Sequence, residues 1–572
     1  MMVIDPTITV GNLRQYRRHR SIASVLLSVL LATAAVIAPG ALAAPQDTAV
    51  LPTPRYTAPL PAPLPAELPA VLSAADVALY QRIRAAQTVA DWAVSDRLVG
   101  SLQDRRLLGY VLAERYLGPK FKASYAELVA WLSGYGDYPD APRIHALATK
   151  QRPAHAAAPP KPASAALLTG SLAGESDAGW SGAARHAPAA PKSVAKAPAR
   201  KAGAAETSDT PLDASAAARH APHAAWVAGL AAWRSGRYDV AIKNFEAVAS
   251  SPAASTWNAA AGAFWAARGH LVTRKPQAYV RWMSRAAAST YTFYGMLAHR
   301  ALGQDINIDW SLPAIGRDEL ARLDGYPGAA RALALIQLGD RARAEDELRR
   351  VFPKLPSDLA PLALTMAERG GMPGLAMRIA GKLLHASGQR YDAGLYPVPP
   401  WLPAGGFTLN RALLFALARI ESGFNPSARN PSGASGLMQL MPGTARVMAK
   451  GHAVAGNVFD PEANLTLGQR YVDFLLAHDR VKGNLLSLVA AYNVGPGNLA
   501  ATPNEDPLLL IESLQHAETR QLVQRVLTNF WIYQLRLGQP TDSLDQVAQG
   551  DMPVYIGRSG DDTALAERNG RN

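Results

Sequence analysis

The stretch Phe407-Thr-Leu-Asn-Arg-Ala-Leu-Leu-Phe-Ala-Leu-Ala-Arg-Ile-Glu421-Ser-Gly-Phe-Asn-Pro426 decides how the C-terminal part of the chain is read. Leu409, Leu413, Leu417 and Ile420 recur at helical spacing and mark one apolar face, so a helix is expected between Phe407 and Gly423. Gly423 ends it, and Asn425-Pro426 turns the chain. Glu421 follows Leu417 by four residues and continues the edge of the buried face. A carboxyl group there is partly withdrawn from water, which penalises its charged form and raises its pKa. That is what a general acid working near neutral pH requires. Taken alone, a Glu at a helix end is more often a cap or half of a surface pair. The residues that follow reverse that balance.

They are Gly433-Ala-Ser-Gly-Leu-Met-Gln-Leu-Met-Pro-Gly-Thr-Ala445 and, further on, Ala490-Ala-Tyr-Asn-Val-Gly-Pro-Gly497. Gly433 and Gly436 allow backbone to approach a ligand closely, because no Cβ intervenes. The Gln439 amide both donates and accepts, which suits sugar hydroxyls and acetamido groups. Met438 and Met441 are read as adaptable apolar surface beneath a sugar ring. Tyr492 ends a buried helix carrying Leu485, Leu488 and Val489, and its hydroxyl is expected to point at the Glu421 carboxyl. Asn493 and the Gly495-Pro496-Gly497 turn then form a cleft rim. Near Glu421 in sequence there is no second acid of the kind a two-carboxylate glycosidase needs. Asp460, Glu462 and Asp473 read as a helix start and a solvated face.

Working outward, residues 397–540 form this module and 541–572 a C-terminal tail. Upstream, 223–390 is Ala-, Leu- and Arg-rich with helical periodicity. Gly229, Trp233, Gly236, Tyr238, Ala241 and Phe245 alternate small and large as in a tetratricopeptide-like helix pair. The cadence then blurs, so an irregular α-solenoid is expected rather than a repeat array. Residues 151–222 are dominated by Ala, Pro, Ser and Gly, with scattered lysines and Trp180 as the sole aromatic. Such a segment cannot bury enough apolar area to offset chain entropy, and it reads as a disordered linker. Helical patterning also fills 73–150, where Leu79, Ile83, Trp92, Leu98 and Leu107 recur. Before it, 44–72 is a Pro-rich leader. Residues 1–43 read as a signal peptide: Arg14 to Arg20 are the basic region, Ile22 to Ala38 the apolar one, and Ala41-Leu42-Ala43 the cleavage site. The fold class is therefore all-α, a superhelical region followed by a mostly helical module.

The 572 residues carry 58 Lys and Arg against 45 acids, a formal charge of +13. A polyanionic partner fits, whether nucleic acid, anionic lipid or cell wall. No cysteine is present, which excludes disulfides, thiolate catalysis and zinc-thiolate sites. The 12 histidines show no ligand spacing, so neither metal nor cofactor is expected. No nucleic-acid-binding motif appears, and no further apolar run is long enough to span a membrane.

Four blocks together, Glu421-Ser422, Gly436 to Gln439 with Met441-Pro442 and Thr444-Ala445, Ala491 to Gly497, and Ile511-Glu512-Ser513 with Glu518-Thr519-Arg520, resemble the soluble lytic transglycosylase family. Its catalytic module is similar to goose-type lysozyme. The upstream helices, including Thr292-Phe-Tyr-Gly-Met-Leu-Ala298, more loosely resemble that family's superhelical region. The resemblance implies a periplasmic lyase that cleaves peptidoglycan glycan strands between N-acetylmuramic acid and N-acetylglucosamine. Glu421 would act first as acid and then as base, giving a 1,6-anhydro end without water. It also implies that Asn430, where the family usually has Ser, helps bind the sugar, and that Glu518 and Arg520 pair on the cleft wall. The solenoid is then a surface for glycan strands or for wall-synthesis or secretion proteins. Two rivals stand beside this: a lysozyme-type hydrolase with a second carboxylate, and a wall-binding scaffold with a retired site. The presence of Glu421, Gln439 and Tyr492 together speaks against the second.

Overall fold

A computed structural model describes residues 68–164, 166–168, 214–451, 456–499 and 506–557, the side chains of 214–220 excepted. The signal peptide, most of the leader and residues 169–213 of the linker lie outside them. Among the described residues the structure is helical, with isolated β-bridges only, such as Ser435 to Leu440 and Asn484 to Val554.

The first block holds α1 (Ala74–Thr88), α2 (Trp92–Gly100), α3 (Leu108–Leu117), α4 (Tyr125–Tyr135) and α5 (Ala141–Gln151). Their starts are capped as the side chains allow. The Ser73 hydroxyl accepts from the Asp76 N–H, and Ser124 and Glu127 form a reciprocal capping box. Ile83, Leu107, Leu128 and Trp131 close the interior. Beyond α5 the structure corrects the expected linker. The Leu168 N–H donates to the Arg349 carbonyl at 2.8 Å, and Ala163 N–H to Gly136 at 2.9 Å, so this stretch is strapped along neighbouring helices. Backbone hydrogen bonds and the buried Leu168 side chain hold it, which overall composition does not register.

The solenoid comprises α6 (Ala214–Arg234), α7 (Tyr238–Ser250), α8 (Thr256–Val272), α9 (Pro276–Ala287), α10 (Phe293–Ala301), α11 (Arg317–Asp324), α12 (Pro327–Gln337), α13 (Arg341–Val351), α14 (Ala360–Arg369), α15 (Pro373–Ser387) and the short α16 (Asp392–Leu395). The small residues seen in the sequence are where helices touch. A Cβ on Gly229 would lie 2.6 Å from the Phe245 ring, whose other neighbours are Trp226 and Trp265. Helix α6 begins inside the segment read as linker, and Trp226 and Leu230 in its later turns are buried.

The last module holds α17 (Arg411–Ser422), α18 (Pro442–Ala449), α19 (Pro461–Ala477), α20 (Leu485–Val494), α21 (Pro507–Ser513), α22 (Ala517–Arg536) and α23 (Asp542–Gln549). Helix α17 is its axis: Ala412 to Ala418 are all buried, and Phe415 meets Tyr533 of α22 edge-on. The segment expected to be a tail is built in as far as residue 557. Leu544 and Val547 of α23 are buried, Ser543 accepts from the Trp531 indole, and the Tyr555 hydroxyl accepts from the Asn410 N–H that opens α17.

A buried ion network docks the first block onto α12 and α13. Arg331 pairs with Glu347, with an Nη2 to Oε2 contact of 3.0 Å, and with Asp137 at 2.9 Å. The Tyr110 hydroxyl donates to Glu347 at 2.6 Å, and the Arg331 guanidinium lies 4.0 Å from the Tyr138 ring centre. Gln337 meanwhile accepts from the N–H groups of Val71 and Leu72. Removing one member of a buried pair leaves the other uncompensated, which typically costs more than the pair contributes. Arg331→Met is therefore expected to destabilise the protein by about 3 kcal/mol in denaturant titration. The substitution of exposed Arg143, paired with Asp140, should stay within about 0.5 kcal/mol.

Candidate active site

Helix α17 opens at Asn410, whose Oδ1 accepts from the Ala412 N–H, and closes at Gly423. Gly423 and Phe424 both take left-handed backbone, with φ of 57° and 58°. For Phe424 that conformation is strained, and its buried ring against Tyr533 holds it there. Glu421 occupies the last turn. Some of its surface reaches solvent, yet protein surrounds the carboxyl. Burial first, and the charge of Glu518 second, push it up to about 8. The nearest cation along the helix does not oppose this. Arg419 donates to the Leu395 carbonyl and to Asn529, with its guanidinium 4.4 Å from the Tyr396 ring centre.

The loop from Arg429 to Met441 folds back on itself. Asn430 Oδ1 accepts from the Ala434 N–H at 2.8 Å, so half of that carboxamide shapes its own turn. Gly433 (φ 92°) stands at the turn with open space where a side chain would project. Gly436 is required for another reason than ligand approach: a Cβ there would lie 2.1 Å from Asn464 Nδ2 and 2.3 Å from the Val458 carbonyl. Gln439 (φ 44°) is half-buried, and its Nε2 donates to the carbonyls of Gly436 (2.8 Å) and Ala428 (3.2 Å). Met441 is half-buried at the start of α18.

Two expectations are corrected. Met438 does not line a cleft: its side chain is fully buried, packed where a Cβ on Gly468 of α19 would stand. An unbranched side chain filling the gap over a glycine is core packing. Nor does the Tyr492 hydroxyl point at Glu421; it donates to the Met438 carbonyl at 2.7 Å. The two groups are still neighbours, since the Glu421 charge, after burial, helps hold the Tyr492 phenol far above its ordinary value.

Asn493 Oδ1 accepts from the Thr519 hydroxyl at 2.9 Å, joining α20 to the first turn of α22. Glu518 is exposed in that turn. Arg520, expected to pair with it, donates to the Leu514 carbonyl instead. Glu512 faces the solenoid, accepting from Tyr294 and Gln524, so it is no second carboxylate for Glu421. Asp460 caps α19 through the Ala463 N–H, as its position suggested.

Asn464 was not anticipated. It is fully buried, its Oδ1 accepts from the Met438 N–H (2.8 Å), and its Nδ2 donates to the carbonyls of Val458 (2.8 Å) and Ser435 (3.2 Å). An Asn between Ala463 and Leu465 on an otherwise apolar face was the available signal.

Two outcomes follow. Asn464→Ala strands three buried backbone groups, so a stability loss of about 3 kcal/mol in urea is expected, with loss of activity. Glu421→Gln should act through pH. A carboxyl near 8 when folded, against its ordinary value near 4.5, binds more protons folded than unfolded across that window. Its penalty on stability is absent below the lower value and complete above the higher one. The amide removes that penalty, so Glu421→Gln should raise Tm clearly at pH 9 and little at pH 4.5, read by calorimetry at both.

The family description "Transglycosylase SLT domain" matches residues 404–508, which contain all of these cleft elements up to α21. The soluble lytic murein transglycosylase of Escherichia coli (strain K12) is 28% identical over 261 residues, 44% of this chain and 40% of the relative. The chain therefore spans less than half the length of that relative in the match. The endo-type membrane-bound lytic murein transglycosylase A of Enterobacter sp. (strain 638) is 32% identical over 146 residues, 23% of this chain and 71% of the relative. Among solved structures, the 70 kDa soluble lytic transglycosylase of Escherichia coli aligns over 85% of this chain and 99% of its own, with 16% identity and a TM-score of 0.44. On its sequence matches, this chain belongs to the lytic murein transglycosylase family.

Proposed function

We propose that this chain is a lytic transglycosylase that cleaves the β-1,4 bond between N-acetylmuramic acid and N-acetylglucosamine in peptidoglycan. The observation that carries the reading is Glu421, a surrounded carboxyl pushed up to about 8 beside a turn rich in backbone and amide hydrogen-bonding groups. At neutral pH it holds a proton to give. Glu421 protonates the glycosidic oxygen as the bond to the muramoyl anomeric carbon breaks. The resulting carboxylate then takes the proton from the muramoyl 6-hydroxyl. That oxygen bonds to the anomeric carbon and closes the 1,6-anhydro ring. The proton count balances and no water enters.

The remaining residues bind. Gln439 Oε1 and the free half of the Asn430 carboxamide meet sugar hydroxyls or acetamido N–H groups. Met441 offers apolar contact, Gly433 admits backbone approach, and Asn493 and Glu518 line the opposite rim. Reading residues 1–43 as a signal peptide supports a periplasmic location, and the +10 charge left without that segment, which holds four of the 58 basic and one of the 45 acidic residues, suits an anionic wall. Among the described residues no helix is long and apolar enough to cross a membrane.

One observation favours testing a second reading. Glu518 is a carboxylate whose charge reaches Glu421, and a hydrolase uses two acids. Mass spectrometry of products from purified peptidoglycan separates them. Anhydromuramoyl ends from the native chain, and at least about a 1,000-fold loss in Glu421→Gln, support the transglycosylase. Reducing ends would favour the hydrolase, with Glu518 as its second acid. No cleavage would remove the enzyme reading. The rate should also decline as pH rises through about 8, where the acid loses its proton.

A further inference from the structure

The stretch Thr292-Phe-Tyr-Gly295 lies in the solenoid, far in sequence from Glu421, yet each residue has a part in the junction with the last module. Thr292 caps α10: its hydroxyl accepts from the Gly295 N–H at 3.0 Å and donates to the Ser289 carbonyl at 2.8 Å. Gly295 permits that turn, since a Cβ would stand 1.9 Å from the Ser289 oxygen. Phe293 is fully buried and stacks on Trp531 of α22, ring centres 5.3 Å apart. Tyr294 is buried too, and its hydroxyl donates to Glu512 Oε1 of α21 at 2.8 Å.

Glu512 Oε1 also accepts from Gln524 of α22 at 2.9 Å, so one carboxyl ties α10, α21 and α22 together. Burial pushes that carboxyl up, and its donors, with Tyr294 foremost, pull it back. The solenoid holds both ends of α21 as well. Asp506, which caps its start, pairs with Arg268, whose guanidinium lies against Trp265 (4.7 Å) and Trp233 (5.2 Å). Ser513 at its end accepts from Arg234 at 3.0 Å. The chain then turns through Leu514 into α22, whose first turn carries Glu518 and Thr519. Thr519 donates to Asn493, the neighbour of Tyr492, and the charge of Glu518 acts on Glu421.

We propose that Tyr294 is a positioning residue for the reaction at Glu421, acting from the solenoid through Glu512 and the α21–α22 corner that carries Glu518 and Thr519. The inference rests on the acid role proposed for Glu421. With the Tyr294 hydroxyl in place, the corner is fixed and Glu518 stays close enough to discourage ionisation of the acid. Without it, Glu512 keeps from the solenoid only Trp226 and Arg234, which act on it less than Tyr294 does, the corner loosens, and the Glu518 charge moves away from Glu421. Glu421 then releases its proton at lower pH, and Asn493 loses its fixed partner.

The test is the pH–rate profile of glycosidic bond cleavage by the full chain on purified glycan fragments, for the native protein and Tyr294→Phe. The variant fills the same volume and lacks only the hydroxyl. A fall in kcat of about ten-fold is expected, with the basic limb moved down by about half a pH unit. Phe293→Leu, which weakens the stack on Trp531 in the same helix, should lower Tm and leave the limb in place. A Tyr294→Phe profile that superimposes on the native one, measured below both melting temperatures, overturns the proposal. Should Tyr294→Phe not fold, Glu512→Gln serves: it keeps an acceptor for Tyr294 but drops the charge that holds Arg520 and Arg234 at the corner. It should move the limb the same way, and an unmoved limb again overturns the proposal. Reducing-end products from the native chain would retire the anhydro reading alone, because a hydrolase also needs protonated Glu421. A native rate with no basic limb near pH 8 would retire the acid role and this inference with it.

Discussion

Glu421 is held where protein rather than water surrounds its carboxyl, and much of the last module serves to keep it there. Helix α17 must be buried on nearly every side, which is why Ala412 to Ala418 are small or apolar without interruption. It must then stop within one residue of the acid, and the left-handed pair Gly423-Phe424 does that. The strain at Phe424 is met by its aromatic contact with Tyr533. The solenoid closes the same turn from outside. A Cβ on Gly374, at the start of α15, would lie 3.1 Å from the Phe424 carbonyl, so any larger residue there would press the helix away by a few tenths of an ångström.

The opposite wall is built on polar struts. The loop between Arg429 and Met441 has little regular structure of its own, so side chains answer its buried backbone groups. Asn464 answers two of them and the Val458 carbonyl besides, Tyr492 answers one, and Gln439 answers one along with the Ala428 carbonyl just before the loop. Each strut comes from a helix or from the loop itself, so the loop inherits the rigidity of α19 and α20. A loop of this kind can present Gln439 and Met441 in a fixed place without a sheet beneath it.

How far the sequence could be read depended on which groups had their partners nearby. Helix α17, the turn after it and the position of Glu421 were legible because periodicity and capping are local. The solenoid was legible through Gly229 and Phe245, since helices in close contact demand small residues opposite large ones. The partner of Tyr492 was not legible: a hydroxyl beside an acid suggests a side-chain bond, and the bond goes to a backbone carbonyl 54 residues away in sequence. Met438 was misplaced for a related reason. In an irregular loop no period says which side chain turns inward, and the space over Gly468 that takes it is visible only in three dimensions. The stretch at Ala163 and Leu168 and the built-in α23 were missed because composition averages over a segment, while a few backbone bonds and single buried residues, Leu168, Leu544 and Val547, hold those segments.

Two carboxyls near the α21–α22 corner show how partners decide what burial means. Both Glu421 and Glu512 are surrounded by protein, and burial raises both. Glu512 is given donors, the Tyr294 hydroxyl and the Gln524 amide among them, and cations at Arg520 and Arg234. Those contacts favour its charge and make it a joint between helices. Glu421 is given another carboxylate, Glu518, and the cation nearest along its helix is turned to Leu395 and Asn529. Its proton is therefore held to higher pH than an ordinary carboxyl's. The same desolvation acts on both residues, and the difference lies in the hydrogen-bond donors and the neighbouring charges each receives.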